Sequence, residues 1–238
     1  MIIAGIFFDN SKRDDVVVAL RHLPEPLKPV IYSADEEKRP KGNLVSNEKK
    51  FDLFRRKNTG GFFLHSEKAL FDLSFPQVGK ASVFIELADD SLFILLTDYL
   101  EGFAKLGIDF GFAAESEEYS HRNRHFITQG ANKIESWVGR DLYKYLPGFY
   151  WLTFVSNDVV KQHGIDIDSI SRSAEHVGNC NGALIRFFDD PRSWRNYADL
   201  LDDCCESSDG VFTIKDVEKS VSNEMNFLEL NAALAQWK

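Results

Sequence analysis

The sequence predicts an α+β fold in which a mixed or antiparallel sheet packs against helices. Three observations predict it. Apolar or alternating runs of strand length recur between amphipathic stretches of helix length. Some strand-like runs follow one another across Gly-bearing turns, as hairpins do, instead of each leading into a helix. And 44% of the 238 residues are hydrophobic, enough for one domain over 1–238 to bury a sizeable core.

The elements follow in order. Residues 2–8 form a continuous apolar run, read as a strand; Asp9-Asn10-Ser11 ends it and opens a helix with Asn10 or Ser11 as cap. That helix covers 13–22 and stops at Leu23-Pro24-Glu25-Pro26. A second strand is expected over 29–33, a charged surface loop over 34–43, and a short helix over 49–56 with Phe51 and Phe54 on one face. Asn58-Thr59-Gly60-Gly61 turns the chain into 62–66, whose hairpin partner is the alternating run 69–75. Another strand covers 82–87. From about Asp89 to Leu106 the apolar residues recur at helical spacing, with Asp89 or Asp90 as cap and Gly107 as the stop. Strands are read at 109–114 and 183–188, and helices at 157–163, closed by Gly164, and 191–203, with Pro191 in its first turn. Gly210 marks a turn, and 215–238 reads as partly helical.

Net charge is -9 and the pI is near 5.2. Phosphate backbones repel such a chain, which argues against a nucleic-acid partner, whereas a basic protein partner is steered toward it. Cys180, Cys204 and Cys205 are odd in number and two are adjacent, so they make no disulfide framework and imply a reducing compartment. The first residues carry no basic region, Asp9 interrupts the apolar run, and no stretch reaches the roughly 18 apolar residues of a membrane helix. A cytoplasmic protein away from membranes is expected.

Candidate chemistry is sparse. His121 and His125 would lie one turn apart on a helix, but Arg122 stands where a zinc-protease helix carries its Glu, and a polar helix with a Glu118–Arg122 pair is the plainer reading. Acidic neighbours raise the thiol pKa of Cys204 and Cys205 and make them poor nucleophiles. Aligning Gly210 with a calcium-loop glycine puts Cys205 at the first ligand position, so that reading fails. Glu86, Asp189 and Asp190 suggest acid–base pairs, yet Asp-Asp-Pro before a helix is an ordinary cap. Neither Gly60-Gly61 nor Asn181-Gly182 has phosphate-loop spacing. No cofactor or metal is implied.

Residues 137–154 are the densest aromatic stretch, with two Trp, three Tyr and two Phe around Pro147-Gly148. The expectation is a helix over 140–145, a turn, and a buried strand over 149–155 with Trp151 and Phe154 in the core. The same rings suit a pocket lined by Trp137, Arg140, Asp141, Tyr143, Tyr145 and Tyr150, the alternative in which the protein is an enzyme or binds a small molecule.

Phe110-Gly-Phe-Ala113, Glu118-Tyr-x-His-Arg-Asn123, Gly139-x-Asp-Leu142, Leu146-Pro-Gly-Phe-Tyr-Trp-Leu-Thr153 and Leu184-x-x-Phe-Phe-Asp-Asp-Pro191 resemble a group of bacterial immunity proteins encoded beside polymorphic or type VI secretion toxins. The similarity runs from about Ser82 to Asp203, and residues 1–80 look more divergent. The resemblance implies a cytoplasmic protein, not an enzyme, that binds one cognate toxin and blocks its active site or assembly. It carries no interface residues over. On charge, the expected toxin contacts are Asp89, Asp90, Glu115, Glu117, Glu118, Asp202, Asp203 and Glu206, facing a basic toxin surface; a homodimer is left open.

Overall fold

The computed structural model describes residues 1–129, 132–139, 141–170, 175–176, 181–222 and 224–237. Expectations that fall on Arg140 and Cys180 lie outside these. The chain runs β1 (Ile2–Phe8), α1 (Arg13–Arg21), β2 (Ile31–Ser33), α2 (Glu48–Lys57), β3 (Gly61–His65), β4 (Ala69–Ser74), β5 (Ala81–Leu87) and α3 (Leu96–Lys105). It continues through β6 (Phe110–Glu115), α4 (Ser116–Asn123), β7 (Arg124–Gln129), β8 (Asn132–Trp137), β9 (Leu152–Ser156), α5 (Asn157–His163) and α6 (Ile167–Ile170). The last elements are β10 (Glu175–His176), β11 (Gly182–Arg186), α7 (Ala198–Glu206), α8 (Ile214–Ser220) and α9 (Phe227–Ala235).

Nine strands form one sheet in the order β10-β11-β9-β6-β1-β5-β4-β3-β2. Every ladder in it is antiparallel, so the α+β expectation holds and the sheet is not mixed. Central β1 pairs with β5 and β6, which puts residues before and after 80 in the same sheet.

The two faces are covered unequally. Pleating sends Phe62 and Gly111 to one face. There α2 brings Phe51 within 6.0 Å of the Phe62 ring. Leu100 of α3 also approaches this face, so closely that a Cβ on Gly111 would lie 2.9 Å from its Cδ2. On the other face α4, Val138, Gly139 and residues 141–151 close over β6 and β9. Phe112 lies flat against Tyr119 at 5.2 Å and sits 4.5 Å from Tyr150. Strands covered on both sides are buried throughout, as β1 and β9 are. β4 instead alternates, with Asp72 and Ser74 facing water, because among the described residues nothing crosses over that face of it.

Several elements differ from expectation, each for a local reason. The first cap is Asp9, whose carboxylate accepts from the Ser11 N–H, in place of Asn10 or Ser11. The helix read over 89–106 divides into a 3-10 segment at Asp90–Leu95, capped by Asp89, and α3. Residues 142–144 form a turn, not part of a helix. The strand expected from 149 starts at Leu152, since side chains take the preceding backbone donors: Phe149 N–H bonds Cys205 Sγ, Tyr150 N–H bonds Thr153 Oγ1, and Trp151 N–H bonds Glu118 Oε1. Trp151 and Phe154 are core residues, as expected. The helix imagined through His125 ends at Asn123, and Arg124 begins the β7–β8 hairpin. In the tail, α8 and α9 each open on a capping box, Thr213 with Asp216 and Asn226 with Glu229. They bury Val217, Leu230 and Leu234 in a small second core with Ile127, Val138, Tyr145 and Phe212.

Candidate binding site

The uncovered sheet face forms a trough of about 520 Å³. Register aligns its floor: Glu86 lies opposite Ile3 and Leu70, Phe84 opposite Asp72, and Ser82 opposite Ser74. With a period of two, these side chains all stand on the same face. One wall is α4 (Ser116, Tyr119 and Ser120) together with Trp137, and the other carries Glu36 from the loop after β2. Trp137 stacks on Tyr119 at 5.6 Å, and its Nε1 donates to Glu135 at 3.0 Å. Beyond Ser82 and Phe84 the trough continues into a second hollow of about 500 Å³ beside Lys80, Asp141, Tyr143 and Lys144.

Three carboxylates, Glu36, Asp72 and Glu86, set the electrostatics of the upper end. All three face solvent, but the trough walls exclude part of the water around the two on the floor. Desolvation first, and then the charge of Glu36, raise the Asp72 pKa. Glu86 is raised by desolvation, then by Glu36 and by Asp72. The lower end is balanced: Lys80 pairs with Asp109 at 3.0 Å and Lys144 with Asp141 at 2.9 Å.

The wall is held by polar residues that α4 buries. Glu118, Arg122 and Asn123 are 0%, 6% and 1% exposed. Glu118 accepts from Trp151 N–H at 2.9 Å, and burial pushes its pKa up to about 8 against the opposing pull of Arg122. Arg122 donates through Nη1 to Asp202, which also takes His121 Nε2 at 3.1 Å. Asn123 accepts from the Tyr150 hydroxyl at 2.6 Å and donates to the Val138 carbonyl at 3.2 Å. The Glu-Tyr-x-His-Arg-Asn motif is therefore a staple that fastens Val138, Tyr150 and Trp151 over the sheet.

The acidic residues expected as contacts are dispersed and mostly engaged within the chain. Glu118 is corrected outright, since a fully buried carboxyl meets no partner surface. Asp89 caps a turn by accepting from Ser91, while Asp90 and Glu115 pair with the N-terminal amine. Glu117 pairs with Arg195, Glu206 with Lys215, and Asp202 with Arg122; Asp203 is exposed on α7. The alternative pocket divides. Trp137, Asp141 and Tyr143 line the trough, whereas Tyr150 is buried beneath α4 and Tyr145 belongs to the second core, donating to the Trp237 carbonyl at 2.8 Å.

Asp72 and Glu36 had not been singled out, and Glu86 only as an acid–base candidate. The signal was present as alternation: Leu70-x-Asp72-x-Ser74 and Ser82-x-Phe84-x-Glu86 place polar residues at strand period on hairpin neighbours. His121 and His125 lie on a helix and a strand. Among the described residues no group of three or more His, Cys, Asp or Glu side chains is placed to hold a metal. Cys205 is buried, its thiol pushed up to about 11 by desolvation.

Compared with known proteins, the chain matches no protein-family profile, no curated protein and no solved structure. Among the described residues no helix is long and apolar enough to cross a membrane.

Proposed function

We propose that the chain is an immunity protein, acting in the cytoplasm by binding and neutralising one secreted bacterial toxin without catalysis. One observation carries the reading: an open sheet face, lined by three mutually repelling carboxylates, in a chain of net charge -9. A cationic partner surface relieves that repulsion on binding and is steered in by the field. Phe84 and Trp137 supply rings of the kind that anchor interfaces, and Ser74 and Ser82 supply hydroxyls for hydrogen bonds. The resemblance carried by the aromatic motifs supports the same reading.

The test is co-expression with the product of the adjacent gene. A toxic neighbour that this chain binds and silences supports the proposal, and a neighbour harmless on its own sinks it. The trough's volume and its pair of raised carboxylates favour a second reading, a small-molecule site. In that case no protein partner is neutralised, and a low-molecular-weight ligand protects Asp72 and Glu86 from carbodiimide labelling.

A further inference from the structure

We infer that the trough receives an extended segment of the partner, lying along β5, with a single Lys or Arg side chain at the Glu86 end and small or apolar residues toward the Lys80 end. This rests on the protein-binding reading above and specifies what the trough recognises. Both ends of the floor lie on β5: Glu86 at the top and Ser82 four residues down, about 13 Å away at the usual strand rise. That length matches four to six extended residues laid parallel to the strand. A cation is demanded only at the top, where Glu36, Asp72 and Glu86 converge with no Lys, Arg or His among the described lining residues, and where the one lining cation, the Met1 amine, is already held by Asp90 and Glu115. The midsection offers the Phe84 ring between Ser74 and Ser82. At the bottom Lys80 and Lys144 already pair with Asp109 and Asp141, and Val78 and Tyr143 offer apolar surface. A continuous basic tract would find the carboxylate lining that hollow, Asp141, already engaged by Lys144, so the segment carries its charge at one end.

The probe is a capped peptide, acetyl-Gly-Lys-Val-Ser-Val-Gly-amide, titrated into the full chain by amide NMR beside its norleucine-for-lysine sibling and spermidine. Wild type is expected to bind the lysine peptide at least about tenfold more tightly than the sibling. The Asp72→Asn/Glu86→Gln double variant is expected to bind both equally, and its NMR spectrum confirms that it is folded. Asp203→Asn/Glu206→Gln, on α7, is expected to bind as wild type does. Equal affinity of wild type for the two peptides overturns the inference, and spermidine binding as tightly as the lysine peptide reduces the trough to a site for free cations. If the double variant still neutralises the toxin fully, the trough is not the docking site and the immunity reading stands. Peptide selectivity without any neutralised partner leaves the trough and removes that reading.

Discussion

Substituting Glu118 by Gln removes a titrating proton from the interior while keeping the shape of the side chain. Burial raises the carboxyl from the ordinary 4.5 to about 8, opposed by the Arg122 charge and the Trp151 hydrogen bond. At neutral pH the unfolded chain carries this group ionised and the folded chain carries it protonated, so folding takes up a proton. A raised carboxyl pKa costs nothing below about 4.5, and its full cost is reached above about 8. Between those values stability falls by about 1.4 kcal/mol per pH unit, which amounts to about 3 kcal/mol by pH 7. Gln keeps an acceptor for Trp151 N–H and does not titrate. Its amide nitrogen would occupy the place of Oε2, which is buried with no hydrogen-bond partner, at a cost of about 1–2 kcal/mol. The variant is expected to be about 1–2 kcal/mol more stable than wild type at pH 7 and no more stable at pH 5. Urea melts from pH 5 to 8.5 measure the difference. A pH-independent loss of 3 kcal/mol or more would refute the reasoning, because it is what breaking an ionised, buried Glu118–Arg122 pair produces.

Three other outcomes are expected. Gly5→Ala places a Cβ 2.4 Å from Phe112 Cε1, on a ring held between Tyr119 and Tyr150; overpacking of this kind costs about 1–3 kcal/mol, read as a lower urea midpoint at unchanged slope. Asp202→Ala strips the carboxylate from the buried Arg122 guanidinium. Because Asp202 is itself partly exposed, the loss is expected near 2–3 kcal/mol, at or below the low end for a broken buried pair, and thermal unfolding measures it. Asn226→Ala removes the acceptor for the Leu228 and Glu229 N–H groups; about 1 kcal/mol is lost, seen as faster amide exchange in α9 with β1 and β5 unchanged.

How much of this was legible in the sequence depends on where the information sits. β1, α1, β5 and α5 follow from local patterns, because an unbroken apolar run or a Gly164 stop fixes an element without distant help. The Phe149–Trp151 backbone was not legible: its donors go to Glu118, Cys205 and a nearby threonine, two of these partners supplied by helices remote in sequence. The β7–β8 hairpin is hard to read because both of its faces mix polar and apolar residues, Arg124, Lys133 and Glu135 beside Phe126 and Trp137 and His125 and Ser136 beside Ile127 and Ile134, while both tail helices carry capping boxes in their sequence. For the site, clustering acidic residues along the chain found caps and ion pairs, since consecutive carboxylates at element ends bond their own neighbours. The trough carboxylates are spread over the loop after β2 and two strands, and only sheet register brings them together.

Hydrogen–deuterium exchange of the chain, alone and bound to the toxin partner that the proposed function assigns it, locates the docking surface without relying on any substitution. If the open sheet face is that surface, protection appears in 34–37, 70–74 and 82–86 and at Trp137, and α7 exchanges as in the free chain. Protection confined to Asp202–Glu206 and its neighbours, with β4 and β5 unchanged, would contradict the trough as the working surface.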